Sequence, residues 1–321
     1  MRAARVAAFG SPPELADIAE PTRGPGESLV RVDAAVVAHL DGTIASGNFG
    51  LKPSLPYTPG VEGAGTVLES ATHPPGTRVM IRGGGVGMRR DGCWAELVAA
   101  PDGALRPAPD GLPVEVAASF FVPLVTAYVA LHDVGRFAPP EPVLVTGASG
   151  AVGSAVVQLA LDAGCRKVVA VVGRSGHATA LPDDDRVVAL VGDDERAIAE
   201  GLRPECPLLA VDTVGGPTLA AVLASVPAGG RVATLGYTRG TELHLHLPDF
   251  LLRDVELRPV NAIRRDARGR ELVSQLAALL RAGRVGLQLE RFALDDLPAA
   301  LARLASGEAV GRVVVLPGGP A

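Results

Sequence analysis

The sequence predicts an α/β protein in which a β-rich region is followed by a doubly wound parallel sheet with helices on both faces. Before about Val116, short apolar segments alternate with proline and glycine, a pattern typical of strands and turns. After Val116, strand-like and helix-like apolar patterns alternate, which is typical of a parallel sheet. A glycine-rich turn joins a strand directly to a helix within Val143–Ala160, and it is the most informative feature of the chain.

The first region predicts a series of short strands. An N-terminal strand is expected within Met1–Gly10, which is too short and too interrupted for a signal peptide. Further strands are expected at Leu29–Val37, Gly65–Glu69, Arg78–Arg82 and Ala95–Ala99.

The second region predicts strands that alternate with helices. The strands are expected at Val143–Val145, Lys167–Val172, Val187–Val191, Leu208–Val211, Arg231–Leu235, Val255–Val260 and Arg312–Leu316. The helices are expected at Val152–Ala163, Thr218–Ser225, Glu271–Ala282 and Leu297–Ala305. Strands separated by helices in this way are expected to lie parallel in one sheet.

Length and composition indicate two domains with cores of small apolar side chains. The chain has 321 residues, of which 48% are hydrophobic and 3% aromatic. The net charge of −5 and the scattered positive charges indicate no nucleic-acid partner, and no apolar run approaches the ~20 residues that span a bilayer. Cys93, Cys165 and Cys206 lie far apart and show neither disulfide nor zinc spacing, which favours a reducing, cytoplasmic location.

The glycine turn predicts a nucleotide-binding site. Gly147, Gly150 and Gly153 let the backbone bend tightly, approach a phosphate and pack the next helix on the sheet. The helix N-terminus directs unpaired N–H groups and a positive dipole end at the same point, which suits a pyrophosphate. The candidate cofactor-binding residues here are Ser149, Gly150, Ala151, Val152 and Gly153.

The end of the next predicted strand indicates which nicotinamide cofactor binds. Lys167–Val172 is followed by Gly173, Arg174 and Ser175, with no carboxylate before Pro182. An acidic residue here would bind the ribose 2′-hydroxyl of NAD, whereas an arginine suits the 2′-phosphate of NADP. A charge-assisted hydrogen bond of ~1.5–3 kcal/mol corresponds to a roughly 10- to 100-fold preference. We therefore expect NADPH as the cofactor.

Four segments resemble the medium-chain dehydrogenase/reductase superfamily. They are Pro59–Val67 (PGVEGAGTV), Gly92–Leu97 (GCWAEL), Thr126–Leu131 (TAYVAL) and Val211–Gly216 (VDTVGG). The resemblance implies a GroES-like catalytic domain at residues 1–118 and 263–321 around a Rossmann NADP-binding domain at 119–262. It also implies further cofactor contacts at Thr126, Val214, Leu235, Gly236 and Tyr237.

The residues at the superfamily's zinc positions indicate a branch without metal. The alcohol-dehydrogenase branch carries a cysteine near Ala38–Asp41 and a histidine after Gly60, but this chain has no cysteine there and has Val61 after the glycine. Zinc requires N, S or O ligands at close range. The chain is therefore similar to the zinc-free quinone oxidoreductases (the zeta-crystallin-like branch), which implies reduction of quinones or conjugated enones by NADPH.

The candidate catalytic residues lie in the loop Val37–Gly47. That branch usually has an asparagine in place of Ala38 and often a tyrosine in place of Thr43, so the ionisable residues left are His39 and Asp41. His39 is a candidate proton donor near neutral pH, but a structural role for His39 and for Asp41, a pocket-lining role for Thr43, and protonation by solvent all stay open.

Two rival functions remain beside a quinone or enone reductase. The first is an enoyl-thioester reductase, for which Arg89–Arg90 and Arg264–Arg265 are candidate contacts to the phosphates of CoA or a carrier. The second is a non-catalytic NADPH-binding regulatory protein, favoured only by the small number of proton donors.

The resemblance also implies a homodimer, because in the superfamily the last strand, at the edge of the Rossmann sheet, pairs with the same strand of a second copy across a two-fold axis. Leu251–Val260 should form that edge beside the apolar run Leu243–Leu247, in which His244 and His246 would share one face of a strand. An uncovered apolar edge promotes aggregation, and a two-fold contact with a second copy would cover it.

Overall fold

The chain forms two compact units. The computed structural model describes residues 1–192, 198 and 208–319. The first unit contains Met1–Phe120 and Gln288–Ala321, and the second contains Phe121–Leu287. The boundary expected after residue 118 falls after Phe120, but the chain returns to the first unit at Gln288 rather than at 263.

Helix packing explains why the chain returns to the first unit only at Gln288. The helix Asp266–Arg281 belongs to the second unit because it packs against Phe121–Tyr128. Gly269 makes this approach possible, since a Cβ there would lie 2.9 Å from Val125 Cγ1 and 3.0 Å from Phe121 Cζ. The assignment of residues 263–287 to the first domain is therefore corrected.

The first unit contains most of the strands predicted before Val116. Its strands are β1 (Arg2–Arg5), β2 (Glu14–Asp17), β3 (Glu27–Val37), β4 (Glu62–Glu69), β5 (Arg78–Arg82), β6 (Leu97–Pro101), β7 (Leu105–Pro107), β14 (Leu289–Ala293) and β15 (Arg312–Leu316). The main sheet has the order β14-β15-β3-β4-β5-β7, with β6 paired to β3, while β1 pairs with β2. The unit's helices are α1 (His39–Ala45), α2 (Val114–Ser119) and α8 (Leu297–Ala305).

The core of the first unit consists mainly of small apolar side chains, as the composition predicts. Alternate residues of β3, such as Val30 and Val32, are buried against Val79 and Val315. Trp94 is the largest buried side chain, and its indole N–H donates to the carbonyl oxygen of Val36 at 2.8 Å. This bond satisfies the single polar atom of the ring.

The second unit is a doubly wound sheet. Its strands are β8 (Val143–Thr146), β9 (Val168–Val172), β10 (Val187–Val191), β11 (Leu209–Asp212), β12 (Arg231–Thr234) and β13 (Glu256–Pro259). All are parallel in the order β10-β9-β8-β11-β12-β13. Its helices are α3 (Phe121–Tyr128, continued to Val134 by π-type turns), α4 (Ala151–Asp162), α5 (Gly216–Ser225), α6 (Leu247–Leu252) and α7 (Asp266–Arg281).

The strand order confirms the predicted fold and places its switch point. From β8 the chain moves outward through β9 to β10, then returns to β11 and moves the other way to β13. Ligands of such sheets bind outside the carboxyl ends of the strands where this reversal occurs. The place to look for a site is therefore the carboxyl end of β8 and β11.

The predicted strand at Leu243–Leu247 is wrong. Residues 242–246 form no strand, and α6 begins at Leu247 with Pro248 in its first turn. Leu243 and Leu245 pack against the core of the unit, while His244 and His246 are exposed. The alternation therefore reflects burial without strand pairing, and the two histidines do not share a strand face.

No helix among the described residues is long and apolar enough to cross a membrane.

Candidate active site

The candidate cofactor residues of the second unit converge at one edge of its sheet. They follow the carboxyl ends of four neighbouring parallel strands, β9, β8, β11 and β12. Gly173–Ser175 follow β9, Ser149–Gly153 follow β8, Val214 follows β11, and Leu235–Tyr237 follow β12. Thr126 lies on α3, which packs on α4. Only 6% of Thr126 is exposed.

A buried carboxylate joins three of these strand ends. Asp212, fully buried at the end of β11, accepts hydrogen bonds from Thr146 Oγ1 at 2.8 Å and from Thr234 Oγ1 at 3.0 Å. The backbone N–H of Gly215 also donates to it, at 3.1 Å. Asp212 therefore fixes the ends of β8, β11 and β12 relative to one another. The sequence motif contained Asp212, and a carboxylate that ends an apolar strand was the signal that could have identified it.

The glycine turn forms a cradle that only glycine permits. Gly147 has a φ of 61°, and a Cβ there would lie 2.4 Å from Thr213 Oγ1. A Cβ on Gly153 would lie 2.1 Å from the carbonyl oxygen of Gly147. Helix α4 starts after the extended residue Gly150 without any side-chain cap, so the N–H groups of its first turn remain available. This cradle fits an anionic pyrophosphate.

The loops after β11 and β12 also pack closely against each other, with glycine at the contact. A Cβ on Gly215, whose φ is 78°, would lie 2.3 Å from the carbonyl oxygen of Gly236. A Cβ on Gly236 would lie 1.9 Å from the carbonyl oxygen of Thr213. Val214 and Leu235 are half-buried beside this contact, whereas Tyr237 is 52% exposed. The two loops thus form a continuous backbone surface next to the cradle.

The loop after β9 brings a histidine to the cradle. Gly173, Arg174 and Ser175 are exposed, and Ser175 opens a segment of 3-10 turns that ends at Ala180. Within it, His177 Nδ1 lies 3.2 Å from Ser149 Oγ. His177 is not identifiable from the sequence, because no local pattern links it to the glycine turn.

In the first unit, Asp41 lies inside the protein rather than on its surface. It is 1% exposed and accepts hydrogen bonds from the backbone N–H groups of Ala38, Val61 and Gly60 at 2.9, 3.0 and 3.2 Å. Burial raises its pKa to about 7, although the three N–H donors act in the opposite direction. Asp41 therefore ties α1 to the start of β4. This burial favours a positioning role, and a catalytic role for Asp41 stays a prediction.

The other two candidate catalytic residues are accessible. His39 is the first residue of α1 and is exposed on one side, while desolvation on the other side lowers its pKa. Thr43 is half-buried, and its hydroxyl donates to the carbonyl oxygen of His39 at 3.0 Å. At neutral pH the His39 ring is therefore mainly uncharged, which limits its use as a proton source.

An apolar cluster lies beside α1. Val6, Ile44, Tyr57 and Val61 are buried, and Leu40, Ala45, Phe49 and Met88 pack against them partly exposed. The hydroxyl of Tyr57 has no hydrogen-bond partner among the described residues, and burial raises its pKa to about 12. No sequence pattern reveals this cluster, because its members come from four separate segments.

Val61, in the place of the superfamily's zinc-ligating histidine, has no donor atom in its side chain, and no cysteine occurs in Ala38–Asp41. Ala38 and Val61 both lie next to Asp41, with which they share hydrogen bonds. Among residues 1–192, 198 and 208–319 no three His, Cys, Asp or Glu side chains are grouped so that they could hold a metal ion. Cys93 is buried, and desolvation raises the pKa of its thiol well above the usual range. Freedom from zinc stays a prediction for elemental analysis.

Two family models match the chain. Residues 24–110 match the alcohol dehydrogenase GroES-like domain, and residues 185–315 match the family described as zinc-binding dehydrogenase. Together they extend over parts of both units.

Relatives and solved structures give the same assignment. The acrylyl-CoA reductase AcuI of Ruegeria pomeroyi is 31% identical over 297 residues, with 90% of each chain covered. The quinone oxidoreductase of Mus musculus is 28% identical over 304 residues, with 88% of this chain and 86% of the relative covered. The structure of mycobacterial Rv1454c complexed with NADPH superposes with a TM-score of 0.84 at 26% identity, covering 99% of this chain and 100% of that one. The protein therefore belongs to the medium-chain dehydrogenase/reductase superfamily, in its quinone oxidoreductase-like branch.

Proposed function

We propose that the protein is an NADPH-dependent oxidoreductase that transfers hydride to a quinone or a conjugated enone. The observation that carries this proposal is the glycine cradle at the carboxyl edge of the parallel sheet, with Arg174 on the neighbouring loop. The similarity to the mouse quinone oxidoreductase and to a mycobacterial protein solved with NADPH supports it. We also propose a cytoplasmic location, supported by the free thiols of Cys93 and Cys165.

Each loop at the carboxyl ends of the strands would hold a different part of the cofactor. The first-turn amides Ala151, Val152 and Gly153 would bind the pyrophosphate, and Arg174 with Ser175 would bind the 2′-phosphate. The nicotinamide half would be held by these residues: Thr126, Val214, Leu235, Gly236 and Tyr237. NADPH, when bound, supplies the hydride, so the protein contributes mainly placement and exclusion of competing reactions.

In the first unit, few groups can hold a proton for transfer. Asp41 is buried and positions α1, and the pKa of His39 is lowered. A quinone needs no precisely held acid, because a hydroquinone can take its protons from water after hydride arrives. The shortage of donors therefore favours a quinone over a substrate whose carbon must be protonated, and the apolar cluster around Ile44 suits such a ring.

An enoyl-thioester substrate is the second candidate. The relative AcuI is named an acrylyl-CoA reductase. Arg264 and Arg265 precede α7, and within the described part of the chain no ion pair engages either guanidinium. Two uncommitted arginines could bind the phosphates of CoA. Arg90, in contrast, is paired with Glu27.

The function is tested by NADPH oxidation with a panel of quinones, enones and enoyl-CoA esters. We expect turnover of simple quinones and enones, at a rate that a chelator does not change. Elemental analysis of the protein should find no stoichiometric zinc. Turnover restricted to enoyl-CoA esters would establish the second candidate instead. Tight NADPH binding without any turnover would identify a non-catalytic binding protein.

Arg174→Ala should remove most of the preference for NADPH over NADH. We expect the unmodified protein to bind NADPH at least roughly tenfold more tightly, since a charge-assisted bond to phosphate contributes ~1.5–3 kcal/mol. Dissociation constants from fluorescence titration measure the preference. Arg166→Ala is the matched control, because Arg166 is an exposed arginine just before β9, at the opposite end of the same strand. Equal affinities for the two cofactors in the unmodified protein would contradict the assignment.

His39→Ala should affect enones more than quinones. Because the lowered pKa leaves His39 mainly neutral at pH 7 and above, we expect solvent to supply most protons, and a loss of under about tenfold with quinones. Turnover numbers for the alanine variant and for His39→Gln are compared at saturating NADPH. A loss of about 10²–10⁴-fold with both substrate classes would instead make His39 the proton donor.

The protein should be a homodimer through the β13 edge of its sheet. β13 is the last strand, and the adjacent helix α6 leaves Leu247, Leu251 and Leu252 at 61%, 70% and 85% exposed. A second copy would cover this apolar surface. Leu251→Asp with Leu252→Asp should give monomers by light scattering, whereas Val188→Asp on the opposite edge strand β10 should not. A monomeric unmodified chain at micromolar concentration would refute the dimer.

A further inference from the structure

A glycine-rich loop between β5 and β6 places one methionine against the apolar cluster beside α1. The loop comprises residues 83–92, and four of its glycines have a positive φ. A Cβ on Gly87, whose φ is 68°, would lie 2.6 Å from the carbonyl carbon of Gly60. The loop therefore contacts the backbone directly before Val61, which is a buried member of the cluster.

Hydrogen bonds fix the backbone of this loop around Met88. The carbonyl oxygen of Gly85 accepts the N–H groups of Met88 and Arg90 at 3.0 and 3.2 Å. The N–H of Gly87 donates to the carbonyl oxygen of Arg90 at 3.1 Å, and the Arg90 guanidinium binds Glu27. The backbone thus sets the position of Met88, while its unbranched side chain keeps three rotatable bonds.

Met88 forms one side of an apolar face that is only partly covered. Leu40, Phe49 and Met88 pack against the buried members of the cluster, and each of the three is half-buried itself. Leu40 follows His39 on α1, so the face lies next to a candidate catalytic residue. Apolar walls beside a few polar groups are typical of sites for small molecules.

A buried hydroxyl in the same cluster indicates the chemistry of the molecule that binds there. Tyr57 is 1% exposed, and its hydroxyl has no hydrogen-bond partner within the part of the chain that the structure describes. An unsatisfied buried hydroxyl destabilises a protein, so such groups are rarely left unpaired. The carbonyl oxygen of a flat apolar ring would accept a hydrogen bond from it while the ring packs on the cluster. A quinone has both features.

We propose that Met88 is a specificity-determining residue, which sets the size of the ring that binds on the cluster. The inference rests on the proposed reductase function and adds to it the side chain that selects among acceptors. A ring system of two or three rings needs the space that the Met88 side chain occupies, whereas a single ring is held in contact with it. Removal of the side chain therefore favours larger rings, and a stiffer, bulkier side chain excludes them.

The test compares acceptors of different size at saturating NADPH. Values of kcat/KM are measured for benzoquinone, naphthoquinone and phenanthrenequinone, which contain one, two and three rings. We expect Met88→Ala to raise the ratio of kcat/KM for phenanthrenequinone over benzoquinone about tenfold, and Met88→Phe to lower it about tenfold. Met88→Leu, with a similar volume, should keep the ratio. The changes should occur in KM, with kcat within about twofold, because Met88 contacts the ring before and during hydride transfer.

A control and two contrary outcomes separate selection of the ring from support of the loop. Leu68→Ala is the matched control, since Leu68 is an apolar residue of the same unit, 38% exposed on β4 and outside the cluster. It should leave all values unchanged. Equal losses for the three quinones in the alanine and phenylalanine variants would show that Met88 only supports the loop. An unchanged ratio in both variants would show that Met88 does not contact the ring, and either result overturns the proposal.

The outcome for the proposed function is read separately, through binding without cofactor. Trp94 is the single tryptophan of the chain and lies beside Gly60, where a Cβ would be 2.7 Å from its Cδ1. Saturable quenching of its fluorescence measures the affinity for each quinone. If no quinone or enone is reduced, the proposed function fails, and these affinities still rank the three rings.

The affinities also decide the role of Met88 by themselves. The same ranking in the unmodified protein and in the Met88 variants, or no saturable quenching by any of the three quinones, overturns that role. Circular dichroism shows whether each variant is folded. Where alanine destabilises the loop, the comparison of Met88→Phe with Met88→Leu tests the proposal.

Discussion

The arrangement of the loops at the carboxyl ends of β8, β11 and β12 depends on the buried carboxylate of Asp212. A carboxylate that is buried away from water needs hydrogen-bond donors, because an unpaired buried charge lowers the free energy of unfolding by several kcal/mol. Asp212 finds them in hydroxyls at the ends of β8 and β12 and in the N–H of Gly215. The same bonds hold the following loops so close that glycine is required at Gly147 and Gly236. One buried carboxylate thus joins the ends of the strands from which these loops start.

The sequence predicted the parts of the fold in which local pattern and tertiary packing agree. The strands at Val187–Val191 and Arg312–Leu316 have the bounds that the apolar pattern indicates. Helix α7 begins at Asp266, before the predicted Glu271, because its first turn is polar and contains Gly269, so the apolar period starts late. Residues 242–246 alternate like a strand but form none, since burial of Leu243 and Leu245 requires no pairing partner.

The same distinction applies to the site: features made by consecutive residues were predictable, and contacts between distant segments were not. The glycine turn was predictable because the strand, the turn and the helix that create it are consecutive in sequence. The contacts of Asp41 and His177 were not, since each joins a distant segment: Asp41 binds Val61, and His177 binds Ser149. Which loop meets which is decided by the order of strands in the sheet, and no spacing in the sequence encodes that order.

Buried charges hold elements together in both units, and this bears on the chemistry. In the first unit, Glu62 and Arg312 form a buried ion pair at 2.5 Å that joins β4 to β15, the early and late parts of the chain, and Glu62 helps to raise the pKa of Asp41. Glu62 and Arg312 bind each other, and Asp41 binds backbone N–H groups inside the unit. In the second unit, the first turn of α4 has no side-chain cap, and Gly173–Ser175 after β9 are exposed. On the proposed function, recognition of the cofactor's phosphates supplies most of the selectivity and water supplies the proton, which suits an acceptor such as a quinone better than one that must be protonated at carbon.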